Sequence, residues 1–265
     1  MSVKIGVMDS GAGGLTILQS IRSALPHADL LYFADQAYAP YGAQPNEFIT
    51  QRLIRIAQYF TEQGCHLMVV ACNTATVAGI TDLRAVAQLP VVGVEPAVKP
   101  ACSRSLRKRV TVLATLATSK SRRLNDLIDT WRFDTEVSIL ASETLASLID
   151  SMPHSLDKVR VEVERIAGLV HQNQSDTLVL ACTHYPLIKE MFDDVLSEVV
   201  IVEPSKGVTA QVLRLLASET DNDLTAPQVF QIGNLSILTN MDGEAKAALA
   251  YWATPALGAV TVIDL

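Results

Sequence analysis

Three strand-like segments occur twice in this chain, in the same order and at similar spacing. The segment Val-Val-Ala-Cys-Asn-Thr at 69–74 is matched by Val-Leu-Ala-Cys-Thr-His at 179–184. The other two pairs are 4–9 with 109–114 and 91–96 with 199–204. Recurrence of whole strand-like units in order is typical of internal duplication. We therefore predict two homologous α/β halves related by an approximate two-fold axis, with the active site in the cleft between them.

Cys72 and Cys182 occupy the same position in the two copies. Each ends a short run rich in Val and Leu, which is typical of a buried parallel strand, and precedes residues that can start a helix. Open α/β sheets bind ligands at this carboxyl edge, and a helix amino terminus favours the thiolate form of cysteine. We predict that both thiols act at one site, whereas Cys65 and Cys102 are buried and inert.

The spacing of apolar residues predicts strands and helices that alternate along the chain. The expected fold class is therefore α/β, with two doubly wound parallel-sheet domains. The predicted strands are 3–8, 29–34, 66–71, 90–94, 109–114, 135–140, 177–181, 199–202, 229–232 and 260–263. The predicted helices are 15–24, 46–63, 75–87, 119–132, 142–151, 155–173, 186–196, 208–218 and 243–252, and 220–227 is a predicted loop.

The last segments of the chain have no counterpart in the repeat. We expect them to return to the first domain, so that Pro96 and Pro204 mark two crossings of the chain between domains. The first domain is then 1–97 plus 208–265, and the second is 98–207.

Composition argues against several classes of function. The 265 residues include 49% hydrophobic residues, which is enough for two modest cores. A net charge of -7 argues against nucleic acid as a partner, because phosphate binding needs clustered Lys and Arg. The basic run at 104–109 is short, and we interpret it as a solvated linker before a strand.

The sequence shows neither a signal-peptide pattern nor an apolar run of membrane-spanning length. The four cysteines include no pair with CxxC spacing, which fits a reducing compartment better than a disulfide framework or a zinc site. We expect a cytoplasmic protein that has no membrane partner and binds no metal. A homodimer remains an open alternative to a monomer.

Asp9 begins a glycine-rich turn between the first predicted strand and the first predicted helix. The turn lacks the third glycine of a dinucleotide-binding fingerprint and the Gly-Lys-Ser/Thr of a Walker A loop. A tight structural turn and an anion site built from backbone N–H groups fit the pattern equally well. The acid at the carboxyl end of the strand adds a group that is suited to proton transfer.

Six motifs, taken together and in order, closely resemble those of the glutamate racemase family. They are Asp9-Ser10-Gly-x-Gly-Gly, Tyr32-Phe33-Ala34-Asp35, Pro40-Tyr41-Gly42, Ala71-Cys72-Asn73-Thr74-Ala75, Gly93-Val94-Glu95-Pro96 and Ala181-Cys182-Thr183-His184-Tyr185-Pro186. The resemblance covers residues 1 to about 210, and the ending at 262–265 is also similar to the family's. It implies a cofactor-independent bacterial enzyme that interconverts L- and D-glutamate and supplies D-glutamate for peptidoglycan synthesis.

The resemblance also implies roles for particular residues. Cys72 would be the base toward D-glutamate, with Asp9 assisting it. Cys182 would be the base toward L-glutamate, with His184 assisting it. The implied substrate-binding residues are Ser10, Pro40, Tyr41, Gly42, Asn73, Thr74, Thr118 and Thr183.

Two further acids are assigned a supporting role. The resemblance implies that Asp35 supports the site. Asp150 takes the position of a family glutamate in the segment 141–150, where this chain departs from the family pattern. Leu124 is a second departure, because it replaces a common tyrosine.

The chemistry explains why two thiols are needed. Inversion of a stereocentre by proton transfer requires a base on one face of Cα and an acid on the other, since a single base would return the same enantiomer. No cofactor is needed for such a transfer. Because the motifs contain neither Lys nor Arg, we expect backbone N–H groups, hydroxyls and Asn73 to bind the substrate carboxylates.

Three other functions are weighed against this one. Aspartate racemase is the nearest, although the pair Thr183-His184 favours glutamate. A lyase or hydrolase with one thiol is disfavoured by the presence of both cysteines. A two-domain binding module without turnover would not need paired thiols. Incubation with L-glutamate alone, followed by optical rotation, would separate all of these.

Overall fold

The protein is described by a computed structural model over residues 3–219 and 232–265. The chain divides into two compact units. The first consists of Met1–Val94 and Ser205–Leu265, and the second of Glu95–Pro204.

Ten strands are present in the described residues, and all of their pairings are parallel. They are β1 Lys4–Asp9, β2 Asp29–Ala34, β3 Leu67–Val70, β4 Val91–Gly93, β5 Arg109–Thr115, β6 Glu136–Ser142, β7 Thr177–Ala181, β8 Val200–Val202, β9 Leu235–Thr239 and β10 Val260–Val262. The α-helices of the same residues are α1 Leu15–Ala24, α2 Asn46–Glu62, α3 Asn73–Val86, α4 Val98–Arg104, α5 Leu116–Ser119, α6 Arg122–Trp131, α7 Leu145–Asp150, α8 Leu156–Gln172, α9 Lys189–Val195, α10 Ser205–Glu219 and α11 Glu244–Leu257.

The two sheets share one strand order. The first unit has the order β10-β9-β2-β1-β3-β4, and the second has β6-β5-β7-β8. The sheet of the second unit therefore repeats β2-β1-β3-β4, which places β3 and β7 in equivalent positions. The predicted fold class, α/β with two parallel sheets and an internal duplication, is confirmed.

Each sheet is covered by amphipathic helices that bury one apolar face. In the first unit, Leu53, Ile56 and Phe60 of α2 pack in one cluster with Met68 and Val70 of β3. In the second unit, residues of α4 and α6 pack on β5 and β7. Strands buried on both faces explain why β1, β3 and β7 are nearly continuous runs of apolar residues.

The register of the strands shows which residues are equivalent in the two units. Met8 of β1 pairs with Val70 of β3, and Ala114 of β5 pairs with Ala181 of β7. Counting one residue on from Met8, the counterpart of Asp9 is Ala114. The duplication therefore preserves the cysteine but not the acid on the neighbouring strand.

The structure corrects some predicted elements. Val98–Arg104 forms a helix that was not predicted, and it includes Arg104, the first residue of the predicted linker. Pro100 is tolerated because it lies in the first turn, where a missing N–H costs little. The remaining linker of the basic run is therefore 105–108. The helix predicted at 119–132 is interrupted, since Ser121 caps α6 with a hydrogen bond to the N–H of Leu124.

The tail differs from its prediction in one strand. The loop predicted at 220–227 lies outside the described residues, as does the strand predicted at 229–232 apart from Ile232, which is not in a strand. The observed strand is β9, which pairs with β2 and with β10. Thus the tail extends the sheet of the first unit. Across the described residues, no helix combines the length and the apolarity that crossing a membrane requires.

Candidate active site

Cys72 lies two residues after the end of β3 and caps the amino terminus of α3. Its Sγ accepts a hydrogen bond from the N–H of Ala75 at 3.5 Å and lies 3.7 Å from Oγ of Ser10. The thiol is buried, with 6% of the residue exposed. A helix amino terminus stabilises an anion through its free N–H groups and its dipole, so this position favours a thiolate.

Asp9 is fully buried at the carboxyl end of β1, next to the strand that leads to Cys72. Its Oδ1 accepts a hydrogen bond from the N–H of Gly11 at 2.8 Å. A Cβ on Gly14 would come within 2.9 Å of the Asp9 Cβ and 3.0 Å of the Ala71 Cβ, so only glycine lets the turn pack so closely. The structure therefore brings Asp9, Ser10 and Cys72 to one edge of the first sheet.

Asn73 is buried in the first turn of α3, and its side-chain amide makes no hydrogen bond to the described residues. Among the described residues, neither its Nδ2 nor its Oδ1 has a hydrogen-bond partner. Thr74 is buried beside it. A buried amide without partners costs free energy, which a ligand with matching polar groups would recover.

Asp35 lies at the carboxyl end of β2, fully buried among donors. Its carboxylate accepts hydrogen bonds from the Tyr41 hydroxyl, from Nε and Nη2 of Arg52 at 3.0 and 2.7 Å, and from Nδ2 of Asn240 at 2.6 Å. Burial, the charge of Asp35 and the hydrogen bond to it, and the charge of Cys72 raise the pKa of Tyr41. Tyr41 is thus a neutral phenol close to the first thiol.

The other two residues of the predicted Pro40-Tyr41-Gly42 motif are exposed. Tyr41–Ala43 is a short 3-10 turn, and Pro40 precedes it. Pro40 and Gly42 therefore present their backbone at the surface of the first unit, while Tyr41 points into its core.

Cys182 follows β7 and is as buried as Cys72, but its surroundings differ. A 3-10 helix, Tyr185–Ile188, comes before α9, so the helix predicted at 186–196 is regular only from Lys189. The Sγ of Cys182 lies 3.9 Å from Nδ1 of His184. Its immediate partner is therefore a histidine rather than the amino terminus of an α-helix.

His184 is held by Asp150. Its Nε2 lies 3.0 Å from Oδ1 and 2.9 Å from Oδ2 of that carboxylate. Burial alone would lower the pKa of His184, but the charge of Asp150, its hydrogen bond and the contact with Cys182 raise it well above 6.5. A protonated imidazole would donate from Nε2 to Asp150 and point Nδ1–H toward the thiol.

The remaining predicted residues of the second unit lie at the carboxyl ends of its central strands. Thr183 is buried next to Cys182, and Thr118 is buried in α5 after β5. The hydroxyl of Thr115 donates to Oγ1 of Thr118 at 3.1 Å. Tyr185 is also buried, and its hydroxyl has no hydrogen-bond partner among the described residues.

Sequence reasoning missed Arg52 and Asn240. Arg52 is a single charge on the apolar face of α2 that also carries Ile49, Leu53 and Ile56, and this misplaced charge was the available signal. Asn240 lies just after β9 and reaches Asp35 only because the tail returns to the first sheet, which no short motif reveals.

The other two cysteines are buried, as predicted from the sequence. Burial raises the pKa of Cys65 to about 11 and also raises that of Cys102, so both stay protonated near neutral pH. No group of three His, Cys, Asp or Glu side chains suitable for a metal occurs in the part of the chain that the structure describes.

The sequence and the fold correspond to a known family of racemases. The sequence model of the family described as Asp/Glu/Hydantoin racemase matches residues 5–212, so the chain belongs to this family. Within it, the chain is similar to enzymes named glutamate racemase. That of Pseudomonas aeruginosa is 39% identical over 219 residues, which are 82% of this chain and 83% of that protein. That of Pseudomonas entomophila is 41% identical over 230 residues, or 85% of this chain and 84% of that protein.

A solved structure gives the same family likeness. The crystal structure of Escherichia coli glutamate racemase, in complex with L-glutamate and the activator UDP-MurNAc-Ala, has a TM-score of 0.87 at 28% identity. The match covers 99% of this chain and 98% of that one. The resemblance predicted from the six motifs is confirmed, and the chain is an enzyme of the amino-acid racemase class.

Proposed function

We propose that the chain is a cofactor-independent glutamate racemase in which Cys72 and Cys182 exchange the roles of base and acid at Cα. The observation that carries this proposal is the matched placement of two buried thiols at the carboxyl ends of equivalent strands, β3 and β7. The similarity to enzymes named glutamate racemase supports the choice of substrate. We propose further that the product serves peptidoglycan synthesis and that the enzyme acts in the cytoplasm.

The proposed reaction from L- to D-glutamate begins at Cys182. Its thiolate takes the α-proton and becomes a thiol, while the bonding electrons stay on Cα. Cys72, present as a thiol, then gives its proton to the opposite face of Cα and becomes a thiolate. The reverse direction exchanges the two roles, so the enzyme holds one thiolate and one thiol before and after each transfer. Both cysteines are thiols only while the substrate carries the negative charge.

The polar groups around the thiols would bind and stabilise the substrate. The intermediate carries negative charge that spreads into the α-carboxylate, so donors fixed in advance lower the barrier. The unpartnered amide of Asn73 supports such a role. The further groups in this proposal are Ser10, Thr74, Thr118 and Thr183 and the backbone of Pro40, Tyr41 and Gly42. Asp9 and His184 would adjust the protonation of the neighbouring thiols.

The decisive experiment supplies one enantiomer and one cysteine variant at a time. Wild-type protein with L-glutamate alone should approach an equal mixture of enantiomers, measured by chiral chromatography. Cys72→Ala and Cys182→Ala should each abolish racemisation from both sides. In deuterated water, Cys182→Ala should still exchange the α-hydrogen of D-glutamate, and Cys72→Ala that of L-glutamate, by proton NMR.

Cys65→Ala and Cys102→Ala are the matched controls, because these two buried thiols lie outside the proposed site. They should racemise glutamate at close to the wild-type rate. Full racemisation by either single variant of Cys72 or Cys182 would rule out the two-thiol mechanism. Faster turnover of L-aspartate than of L-glutamate would instead overturn the choice of substrate.

A further inference from the structure

Arg52 is a buried cation in the core of the first unit. Nε and Nη2 bind both oxygens of the fully buried Asp35 at 3.0 and 2.7 Å. A buried ion pair is a weak source of stability compared with well-packed apolar residues, because both charges lose their water. The pair therefore points to a role in fixing geometry rather than in stabilising the fold.

The guanidinium also joins segments that are distant in sequence. It stacks on the ring of Tyr38 at 4.3 Å, and Nη2 donates to the carbonyl oxygen of Leu265 at 2.9 Å. Asn240 bridges the same cluster, since it donates to Asp35 and accepts from the N–H of Ala37 at 2.9 Å. Helix α2, the turns after β2 and the tail thus meet at one ion pair.

Tyr41 connects this cluster to the first thiol. Its hydroxyl donates to Asp35, and because a phenol has a single proton, that hydroxyl cannot also donate to a substrate. Its ring packs in the same hydrophobic cluster as Cys72. Tyr41 therefore anchors the turn Tyr41–Ala43 beside the thiol.

We propose that Arg52 is a positioning residue that holds the Tyr41–Ala43 turn in place beside Cys72 by fixing Asp35 and, through it, the Tyr41 hydroxyl. The inference rests on the proposed racemase function, because it assigns the turn to substrate binding. It adds a residue that touches neither substrate nor thiol.

The second unit contains an equivalent contact of different chemistry. Arg52 and Glu162 are both the seventh residue of a 17-residue helix, α2 or α8. Their partners are equivalent too, because Asp35 and Ser142 take the same place in the registers of the two sheets. Arg52 bonds Asp35, and Glu162 accepts a hydrogen bond from Ser142 at 2.7 Å. The same helix position meets the same strand end twice, which supports a retained architectural role for this contact.

The test compares KM and kcat in variants of the pair. Arg52→Gln should raise KM for both enantiomers by about tenfold or more with a smaller loss of kcat, because the turn binds both substrates alike. Adding Asp35→Asn to Arg52→Gln should bring KM most of the way back to the wild-type value. The neutral amide needs no counter-ion and still accepts the hydrogen bond from the Tyr41 hydroxyl. Arg52→Lys should give an intermediate KM, because lysine keeps the positive charge but cannot bond both carboxylate oxygens as the planar guanidinium does.

Arg22→Gln is the matched control in the same unit, since Arg22 bonds the carbonyl oxygens of Ala28 and Gly233. It should lower the melting temperature and leave KM within twofold of wild type. If Arg52→Gln is too unstable to assay, Tyr41→Phe removes only the hydroxyl link and should raise KM in the same way.

Two results would overturn the inference. One is an unchanged KM in Arg52→Gln or in Tyr41→Phe. The other is an equal rise of KM in Arg22→Gln, which would indicate general destabilisation. Either result in a wild-type protein that racemises glutamate leaves the proposed function intact, whereas absence of wild-type turnover overturns the proposed function itself.

Discussion

His184 shows how one substitution makes the two thiol environments different. Its counterpart in the first unit is Thr74, because each lies two residues after the equivalent cysteine. Only the second unit therefore places an imidazole beside the thiol, where its contact with Asp150 raises its pKa. The sequence alone did not define a role for Asp150, because this residue lies in a segment that departs from the family pattern. The contact of about 3 Å with His184 gives it a direct partner.

The first prediction concerns the pH dependence of stability. The folded-state pKa of His184 lies above its ordinary value of 6.5, so its contribution is fully present below that pH and is lost as pH rises through the folded-state pKa. Asp150→Asn removes this contribution. The difference in unfolding free energy between wild type and Asp150→Asn should be larger at pH 6 than at pH 9, by urea titration. Asp150→Glu, which keeps the carboxylate, should restore part of it, and a pH-independent difference would contradict the assignment.

The second prediction concerns Asn73. Its buried amide has no partner in the described residues, so Asn73→Ala removes a desolvation cost from the folded protein. We expect a melting temperature equal to or above that of wild type and a KM raised by about tenfold or more. Asn173→Ala is the control, because Nδ2 of Asn173 donates to Thr111 at 3.3 Å. That variant should show the opposite pattern, with lower stability and an unchanged KM.

At the scale of elements, helix α3 carries the first thiol and depends on close packing against α2. A Cβ at Gly79 of α3 would lie 2.5 Å from Oγ1 and 3.1 Å from Cα of Thr50 in α2. Glycine is needed here because the two helices approach so closely. Its position near the middle of α3 couples the packing of α2, which carries Arg52, to the helix that begins after Cys72.

The third prediction tests this approach of two helices. Gly79→Ala must push α2 and α3 apart and should cost about 1–3 kcal/mol of unfolding free energy. Gly168→Ala in α8 is the matched control, since no atom lies within 4 Å of the added Cβ. That change should stabilise the protein by about 0.5–1 kcal/mol, because alanine is the better helix former. Chemical denaturation of both variants measures the difference, and equal effects would disprove the packing argument.

At the scale of the whole molecule, the duplication was the feature that sequence alone could establish. Repeated apolar runs predicted β1 to β8, because buried parallel strands are recognisable without knowledge of their neighbours. Strand β9 has no counterpart in the repeat and was predicted too early in the chain, at 229–232. Helix α4 was missed because Pro100 lies inside it and Pro96 just before it, and prolines are typical of connections between elements. Asn240 was missed because it reaches Asp35 only through the return of the tail, whereas Arg52 was missed because a single charge on an apolar helix face forms no motif.

The fourth prediction is that the enzyme needs no cofactor. Two thiols and fixed donors account for the whole proton transfer in the proposed mechanism. Dialysis against a chelator, followed by assay in metal-free buffer, should leave kcat and KM unchanged. Activity that is lost on dialysis and restored by a divalent metal or by pyridoxal phosphate would contradict this.

The unlike surroundings of the two cysteines have a thermodynamic consequence. L- and D-glutamate have equal free energies in water, so the proposed reaction has an equilibrium constant of one. The ratio kcat/KM must then be the same in both directions, however different a helix terminus and a histidine are as partners. The asymmetry between Asp9 and Ala114, or between Thr74 and His184, can therefore make the two directions differ only in how a shared kcat/KM is divided between kcat and KM. It decides which enantiomer saturates the enzyme first, while net flow toward D-glutamate depends on its removal by other reactions.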